Sequence, residues 1–374
     1  MVLNLALFWI SVLKLIACQD ISDYKRLYDD LFLEYNRELT PFPNGSKSIS
    51  VSTSFMNFGI NSFNEVDGII SVFGSLNLSW IDSSLMWNPS KYNGITTLRL
   101  DQSTVWCPDV ILWNDAFKLA TVGSDTMFRV AINYEGHVNW IPGGIMKAKC
   151  PANIRKFPFD NHTCALKFVV FDFPTPILLE PSYIPYEGKF TPKNKDWSIE
   201  YAYVKENSPK IKFSFEVYLH IKREPLYYNV LIFSPIAVLS MMNPLVFILP
   251  NDNGERVSFG MTILLSFIVF LTVVSDVIPA TSDPISFLII FIVMQFVTSA
   301  VISVCNIAII RISHRKEAKI GKWTDFLLRK CTRKENKTCD YKDLASGLDK
   351  ICFVLSYITM CILFSVYFTV MTTN

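Results

Sequence analysis

Residues 150–164 read CPANIRKFPFDNHTC, so two cysteines enclose thirteen residues. The enclosed segment contains FPFD, in which two aromatic residues flank a turn-forming proline and an acid follows. A disulfide that closes a loop of about this length removes roughly 3 kcal/mol of unfolded-chain entropy. Of the nine cysteines, the others are Cys18, Cys107 and a group at and beyond Cys305. The middle of the chain therefore holds three cysteines, an odd number, and one of them is expected to stay free.

The chain around this segment is rich in short β-type runs. They extend from Ile49 to about Ile221, and ISVSTSFMNF and KFSFEVYLHI are examples. Regularly spaced short strands without helical periodicity predict a β-sandwich or a β-barrel. Ahead of them, Tyr24 to Tyr35 carries apolar residues at four-residue spacing, which predicts one short amphipathic helix.

Further downstream, four apolar stretches follow one another, at about 226–249, 257–277, 285–310 and 351–371, and the only charged residue in them is Asp276 near the end of the second. Each is long enough for a hydrocarbon core, which takes about 20 helical residues. A segment in lipid must be helical because its backbone polar groups find no water. These patterns predict a β-rich domain followed by four membrane-spanning helices.

The domain organisation follows from charge and processing signals. Residues 1–19 are expected to be a secretory signal peptide, with an uncleaved anchor as the alternative. Residues 20–223 form the predicted extracellular domain and 224–374 the transmembrane domain. Segment 311–350 carries twelve Lys and Arg and is predicted to be cytoplasmic. Sequons that are consistent with secretion stand at Asn44, Asn77 and Asn161.

Several motifs stand in one order along almost the whole chain. They are Trp80-Ile-Asp, Trp87-Asn-Pro, Trp106-Cys-Pro-Asp, Gly136-x-Val-x-Trp, the Cys150–Cys164 segment, Arg223-Glu-Pro-Leu, Gly254-Glu-Arg and Pro279-Ala-Thr-Ser-Asp. This ordered set resembles the Cys-loop pentameric neurotransmitter-gated channels, and most closely the nicotinic acetylcholine receptor subunits of non-α type. The fold class that the resemblance implies is an extracellular immunoglobulin-like β-sandwich followed by a four-helix transmembrane bundle. The resemblance also implies a five-fold ring of subunits, with four further copies or partners around this chain.

The same resemblance assigns roles to residues near the membrane. It implies a disulfide between Cys150 and Cys164, in agreement with their thirteen-residue spacing. It also implies that the enclosed loop carries the binding signal to the pore. The residues expected to take part are Phe157, Pro158, Phe159, Asp160, Arg223 and Pro279.

The second apolar stretch has a polar stripe of its own. Its members recur at spacings of 4, 3, 4, 3 and 4, which places them on one helix face; they are Ser258, Thr262, Leu265, Val269, Thr272 and Asp276. Such a stripe is typical of a helix that lines water, with Leu265 and Val269 as a constriction that closes by dewetting. The alternative interpretation is a polar helix–helix contact inside one subunit.

Acids flank the inner end of this stripe. Glu255 lies on nearly the same face as Ser258, and Asp252 lies one turn further in. In a five-fold ring each position becomes five carboxylates, which attract cations and repel anions. Arg256 points about 100° away and is not expected to line the pore. The predicted permeating ions are Na⁺, K⁺ and, as a further possibility, Ca²⁺; an anion-selective relative is the less favoured alternative.

Ligand binding is inferred only from the resemblance, which places an aromatic box between two subunits. On one face the matching positions are Trp113, Phe171, Tyr201 and Tyr203, although nicotinic subunits usually carry Trp at the Phe171 position. On the other face they are Trp80, Asn139 and Ile141. The adjacent cysteine pair of α-type subunits is missing. The ligand is expected to be acetylcholine or a related amine, and the alternatives are a different small ligand or a subunit with no working site.

Other function classes find little support. No P-loop, dinucleotide motif, HExxH or CxxC occurs, so neither an enzyme nor a cofactor is expected. The net charge of +2 indicates no nucleic-acid partner. A non-conducting membrane protein is the rival of another class, against which the polar stripe argues. The expected location is the plasma membrane of a neuronal or postsynaptic cell, as a multi-pass protein.

Overall fold

A computed structural model describes residues 21–42, 48–170, 177–182, 194–206, 214–250, 254–278, 285–314 and 341–372. The predicted signal peptide, Asn44, Phe171, Asp252 and Pro279 lie outside these residues. The chain divides into two compact units. One contains residues up to Pro151 and His162–Lys222, and the other contains Ala152–Asn161 and Arg223–Asn374.

The first unit begins with one helix and continues as β-structure. Helix α1 spans Ile21–Phe32, three residues earlier than predicted, and buries Leu27. The strands follow in chain order: β1 (Ile49–Asn64), β2 (Ile69–Ile81), β3 (Thr97–Asp101), β4 (Val110–Leu112), β5 (Arg129–Asn133), β6 (His137–Trp140), β7 (Gly143–Lys149), β8 (Asn161–Val170), β9 (Ile177–Pro181), β10 (Trp197–Glu206) and β11 (Ser214–Arg223).

The strands form two sheets that make up the predicted sandwich. The first has the order β3-β5-β6-β2-β1-β9, with β7 also paired to β2, and the second has the order β10-β11-β8-β4. The β1–β2 register shifts near Asn57, a residue with positive φ. Such an irregularity bends a strand, so the second half of β1 differs in direction from the first half. Strand β8 buries alternate residues, as expected for a sheet with one covered face.

Aromatic side chains from both sheets fill the core between them. Phe168 of β8 lies 5.9 Å from Phe55 of β1 and 5.0 Å from Phe215 of β11, measured between ring centroids. Gly74 of β2 is required beside them, because a Cβ there would approach the Phe55 ring to 2.6 Å. The sandwich therefore closes around this aromatic stack.

The second unit contains four helices that are long and apolar enough to cross a membrane. They are α2 (Leu226–Ile248), α3 (Glu255–Val277), α4 (Phe287–Ser313) and α5 (Tyr341–Thr372). Helix α2 is irregular, with a π-helical segment at Asn229–Phe233 and a 3₁₀ segment from Asn243. Pro235 and Pro244 account for both, since proline has no N–H for the ladder of an α-helix.

Two apolar clusters hold the helices together. The first joins α2, α3, α4 and α5 through residues such as Ile236, Phe267, Phe291 and Tyr367. The second lies around Val246 and Phe247 of α2 and Ile302 of α4. Together the two units give the predicted fold class of β-sandwich and four-helix bundle.

Candidate functional site

One face of α3 stays exposed along its length in the single chain. Its exposed side chains include all the predicted stripe residues that the structure describes: Glu255, Ser258, Thr262, Leu265, Val269, Thr272 and Asp276. The opposite face, with Arg256, Ile263 and Phe267, is buried against the neighbouring helices. The polar stripe is therefore not a helix–helix contact inside the subunit, and that alternative is wrong.

The hydroxyl groups of this face point their protons back at the helix. Thr262 Oγ1 donates to the Ser258 carbonyl at 2.8 Å, and Thr272 Oγ1 donates to the Val269 carbonyl at 2.7 Å. A hydroxyl oxygen keeps two acceptor lone pairs after its proton is used. These two threonines therefore present oxygen lone pairs on the exposed side of α3.

Arg256 occupies the other side of the first turn of α3. Its residue is 0% exposed, whereas the adjacent Glu255 is exposed. The expectation that Arg256 points away from the stripe is confirmed. Its hydrogen-bond partners are Asn306 and Asp349, of which the sequence patterns gave no indication.

A second candidate site surrounds Arg223, where the chain enters the membrane unit. Its Nε donates to Asp160 Oδ1 at 2.8 Å and its Nη2 to Asp160 Oδ2 at 3.1 Å. The guanidinium carbon lies 4.8 Å from the centroid of the Phe157 ring and 5.2 Å from that of Tyr228. Three of the predicted coupling residues are thus brought into one buried cluster.

The loop that carries Phe157 is packed against the helices. Ile154 and Phe157 join the apolar cluster that contains Ile278 and Leu288. The N–H of Phe287, the first residue of α4, donates to the carbonyl of Arg155 at 3.0 Å. The sequence patterns did not predict these contacts of Ile154 and Arg155. Ile154 is, however, an isolated apolar residue in a polar loop, and such a residue is expected to be buried.

Pro158 and Phe159 differ sharply in their surroundings. Pro158 is buried, whereas Phe159 is 42% exposed and lines a cavity of about 400 Å³ with Asn153 and Lys156. Phe159 is therefore the aromatic residue of FPFD that another element can contact, and Phe157 is the one that holds the loop in place.

The cysteines of the first unit behave as the resemblance implied. Cys150 and Cys164 form a disulfide, and Cys107 is free. Burial raises the pKa of the Cys107 thiol to about 12, and the nearby Asp109 carboxylate acts in the same direction. A thiol with such a pKa stays protonated at neutral pH.

The predicted ligand residues fall on two different sheets. Trp113 follows β4 and is 54% exposed, and its N–H donates to the Lys167 carbonyl at 2.7 Å. Tyr201 and Tyr203 are exposed residues of β10, with ring centroids 6.3 Å apart. Both belong to the four-stranded sheet, whereas Asn139 and Ile141 lie at β6 of the other sheet.

Ring stacking connects the two tyrosines of β10 to aromatic side chains of the neighbouring strand β11. Tyr201 stacks on His220, and Tyr203 stacks on Tyr218, whose hydroxyl donates to Glu216 at 2.6 Å. This hydrogen bond raises the pKa of Tyr218 to about 12, with burial as a further cause. The tyrosines therefore belong to a strand surface rather than to a loop tip.

Trp80 requires a correction. Its residue is 2% exposed, and its ring packs edge-to-face on Trp106 at 5.6 Å. Strand β2 buries Leu76, Leu78 and Trp80 on one side and turns Asn77 and Ser79 to the other. The prediction that the Trp80 ring faces a ligand is wrong, because the ring lies in the sandwich core.

The other tryptophans that match the family motifs are also buried, as expected for core residues. Trp87 Nε1 donates to the Ile95 carbonyl at 2.7 Å, and Trp140 Nε1 donates to Gln102 Oε1 at 3.1 Å. Their polar groups are thus satisfied inside the sandwich.

Two of the three sequons lie within the described residues. Asn161 is exposed at the start of β8. Asn77 is half-buried in the middle of β2, and its Oδ1 accepts from Asn139 Nδ2 at 2.9 Å. Glycosylation at each remains a prediction.

No group of three His, Cys, Asp or Glu is placed to hold a metal ion among the described residues. A β-sandwich with a disulfide-closed loop, joined in one chain to four helices that are long and apolar enough to cross a membrane, is the architecture of a multi-pass membrane protein.

Comparison with known proteins identifies the family. Residues 24–225 match the neurotransmitter-gated ion-channel ligand binding domain, and residues 232–338 match the neurotransmitter-gated ion-channel transmembrane region. The chain therefore belongs to the neurotransmitter-gated ion-channel family. Members of this family are ligand-gated channels and not enzymes, and the chain is a multi-pass plasma-membrane protein.

The relatives include several acetylcholine receptor subunits. The chain is 30% identical over 314 residues to the acetylcholine receptor subunit alpha-type unc-38 of Caenorhabditis elegans, which covers 74% of this chain and 61% of that protein. It is 32% identical over 267 residues to the neuronal acetylcholine receptor subunit alpha-6 of Rattus norvegicus, covering 69% and 53%. The chain thus matches between about half and two thirds of the length of these relatives.

Proposed function

We propose that this chain is one subunit of a pentameric, cation-selective channel that a small extracellular amine opens from a site between subunits. The exposed polar face of α3 is the observation that carries the proposal. That face runs from Glu255 through Thr262 and Leu265 to Asp276, with acids at both ends and aliphatic residues in the middle. In a ring of subunits this face is the one that is suited to water and ions.

Support for cation selectivity comes from charge and from hydrogen-bond direction. Glu255 is exposed at the inner end, and the buried Arg256 lies off the stripe. The threonine hydroxyls offer lone pairs rather than protons. Na⁺ and K⁺ are the proposed main ions, with Ca²⁺ as an additional one.

Support for an intersubunit ligand site comes from the separation of the candidate residues. Trp113, Tyr201 and Tyr203 are exposed on one sheet, and Asn139 and Ile141 lie on the other. In a ring of subunits, the first set of residues on one subunit could meet the second set on its neighbour. Acetylcholine is the proposed first ligand to test, since named relatives are acetylcholine receptor subunits. A neuronal or synaptic location follows from the same comparison.

A second candidate is a subunit that forms the pore but has no working site of its own. Two features of the sequence favour it, namely the absence of adjacent cysteines and the phenylalanine at position 171.

Voltage clamp of oocytes tests the proposal. The chain is expressed alone and with an α-type acetylcholine receptor subunit, and acetylcholine and other small amines are applied. The reversal potential is then followed while external NaCl is diluted. A shift to more negative voltage supports a cation pore, whereas a shift to more positive voltage means that chloride is carried. Current only with the α-type partner favours the second candidate.

A further inference from the structure

Arg256 is a fully buried positive charge within one residue of the proposed selectivity ring. Neighbouring residues of a helix point about 100° apart, so Glu255 and Arg256 cannot face the same side. The structure shows Glu255 exposed and Arg256 with 0% exposure. A ring of five subunits would carry five such arginines close behind five glutamates.

The guanidinium of Arg256 is held by three other segments. Its Nη1 donates to Asp349 Oδ2 at 3.2 Å and its Nη2 to Asp349 Oδ1, so the pair has two contacts. Its Nε donates to Asn306 Oδ1 at 2.6 Å, and Nη1 also donates to the Leu249 carbonyl at 3.3 Å. Asp349 belongs to α5 and Asn306 to α4, and neither helix carries the polar stripe.

A buried arginine of this kind needs a paired anion, because an uncompensated charge in a low-dielectric interior is costly. Asp349 supplies that anion, and its side chain is 13% exposed. The pair is therefore neutral as a unit, although one member lies on the helix with the polar stripe. The Asn306 amide also donates to the Arg256 carbonyl, at 3.4 Å, which fixes the first turn of α3 against α4.

We propose that Asp349 is a specificity-determining residue of the channel although it lies outside the pore. It offsets the Arg256 charge and holds the first turn of α3, so that the Glu255 carboxylate is not opposed by a neighbouring positive charge at the inner mouth. This inference rests on the proposed cation-selective function. Without the Asp349 carboxylate, the positive charge of Arg256 would be less well offset behind each Glu255, and the attraction for cations would fall.

The test uses full-length chains with four changes: Asp349→Asn, Asp349→Glu, the double change Arg256→Gln with Asp349→Asn, and Asp343→Asn. Asp343 is the matched control, an exposed acid two turns earlier on the same helix. Surface abundance is measured by biotinylation. Permeation is measured as unitary conductance and as reversal potential during NaCl dilution, with acetylcholine or with the agonist-independent current of a Leu265→Ser background.

Asp349→Asn is expected to lower inward cation conductance roughly two-fold or more and to move the reversal potential toward that of chloride, since the Arg256 charge behind the Glu255 ring is then less well offset. The same change is expected to reduce surface abundance. Asp349→Glu keeps the charge and restores selectivity. The double change removes both charges and returns abundance and selectivity to the unmodified values, and Asp343→Asn alters neither.

The ion selectivity of the unmodified channel distinguishes a failure of this inference from a failure of the proposed function. If it carries chloride, the proposed function fails. If it carries cations and Asp349→Asn leaves conductance, reversal potential and abundance unchanged, the inference is overturned. Should Asp349→Asn not reach the surface, the double change decides: recovery with unaltered selectivity supports the inference, and failure to recover or altered selectivity overturns it. The surface abundance of the double change is measured by biotinylation, so that part of the test does not depend on a detectable current.

Discussion

The carboxylate of Asp160 and the guanidinium of Arg223 form a buried two-point ion pair, with N–O distances of 2.8 and 3.1 Å and side chains at most 2% exposed. Asp160 lies in the disulfide-closed loop, and Arg223 immediately precedes the stretch that leads into α2. The loop and the start of the first membrane helix are thus joined by charge as well as by the Phe157 and Tyr228 rings.

Removing one partner of this pair is expected to leave the other, buried charge without the counter-ion that it contacts twice. Asp160→Asn should therefore cost about 3–5 kcal/mol of folding free energy, the usual range for a broken buried pair. The expected result is a strong loss of surface receptor, measured by biotinylation. The double change with Arg223→Gln removes both charges and should recover part of the loss. Equal loss in the single and double changes would contradict the pairing.

The two phenylalanines of FPFD should separate stability from gating. Phe157 is 1% exposed and packs in the apolar cluster, so Phe157→Ala is expected to cost about 3–5 kcal/mol and to lower surface abundance. Phe159 is exposed, so Phe159→Ala should leave abundance and agonist binding intact but impair opening. Binding and current are measured on the same cells. Parallel loss of binding and current in Phe159→Ala would argue against a coupling role.

Much of this architecture follows from sequence patterns, and the exceptions have physical reasons. Length and hydropathy are enough to locate α3 and α4, because lipid demands uninterrupted apolar helices. Helix α5 begins at Tyr341, ten residues before the predicted span, since its first turns are amphipathic and escape a search for apolar runs. The partners Asn306 and Asp349 are far apart in sequence, and only folding brings them to Arg256.

The error at Trp80 has a different origin. The run Leu76-Asn-Leu-Ser-Trp80 alternates apolar and polar residues, so a strand places Trp80 on the same side as two leucines. The alternation predicts a core position, whereas the resemblance to the family places an aromatic ligand contact at the same residue. The same rule places Tyr201 and Tyr203 together on one face of β10, where the structure has both exposed.

The free thiol of Cys107 should resist modification in the native protein. With a pKa of about 12, about one thiolate in ten thousand is present at pH 8, and the thiolate is the reactive form. Cells are treated with a membrane-impermeant maleimide at pH 8, and peptide mapping follows. Little label is expected on Cys107 before unfolding and complete label after it. Rapid native labelling at pH 8 would contradict the burial of this side chain.

Leu265 is the expected closed gate. It is 60% exposed in the middle of the polar stripe, where five aliphatic side chains would expel water. Leu265→Ser should wet the constriction and give channels that open at lower agonist concentration or without agonist. Leu355 of α5 is a matched control, because it is a similarly exposed leucine on another membrane helix. If Leu355→Ser shifts the dose–response curve to the left as far as Leu265→Ser does, the effect is not specific to the stripe and Leu265 is not the gate.

Glu255 is expected to set the preference for cations, and especially for Ca²⁺. At an effective dielectric constant of ~20, a unit charge ~4 Å from an ion interacts with it by about 4 kcal/mol. Water and salt screen most of this, yet five carboxylates act together and a divalent ion feels twice the potential. Glu255→Ala should therefore reduce Ca²⁺ permeability before it reduces Na⁺ conductance, as measured by bi-ionic reversal potentials. Asp276→Ala, at the exposed outer end of the same stripe, is the comparison and should mainly lower inward conductance. A Ca²⁺ permeability that survives Glu255→Ala unchanged would place the selectivity ring elsewhere on α3.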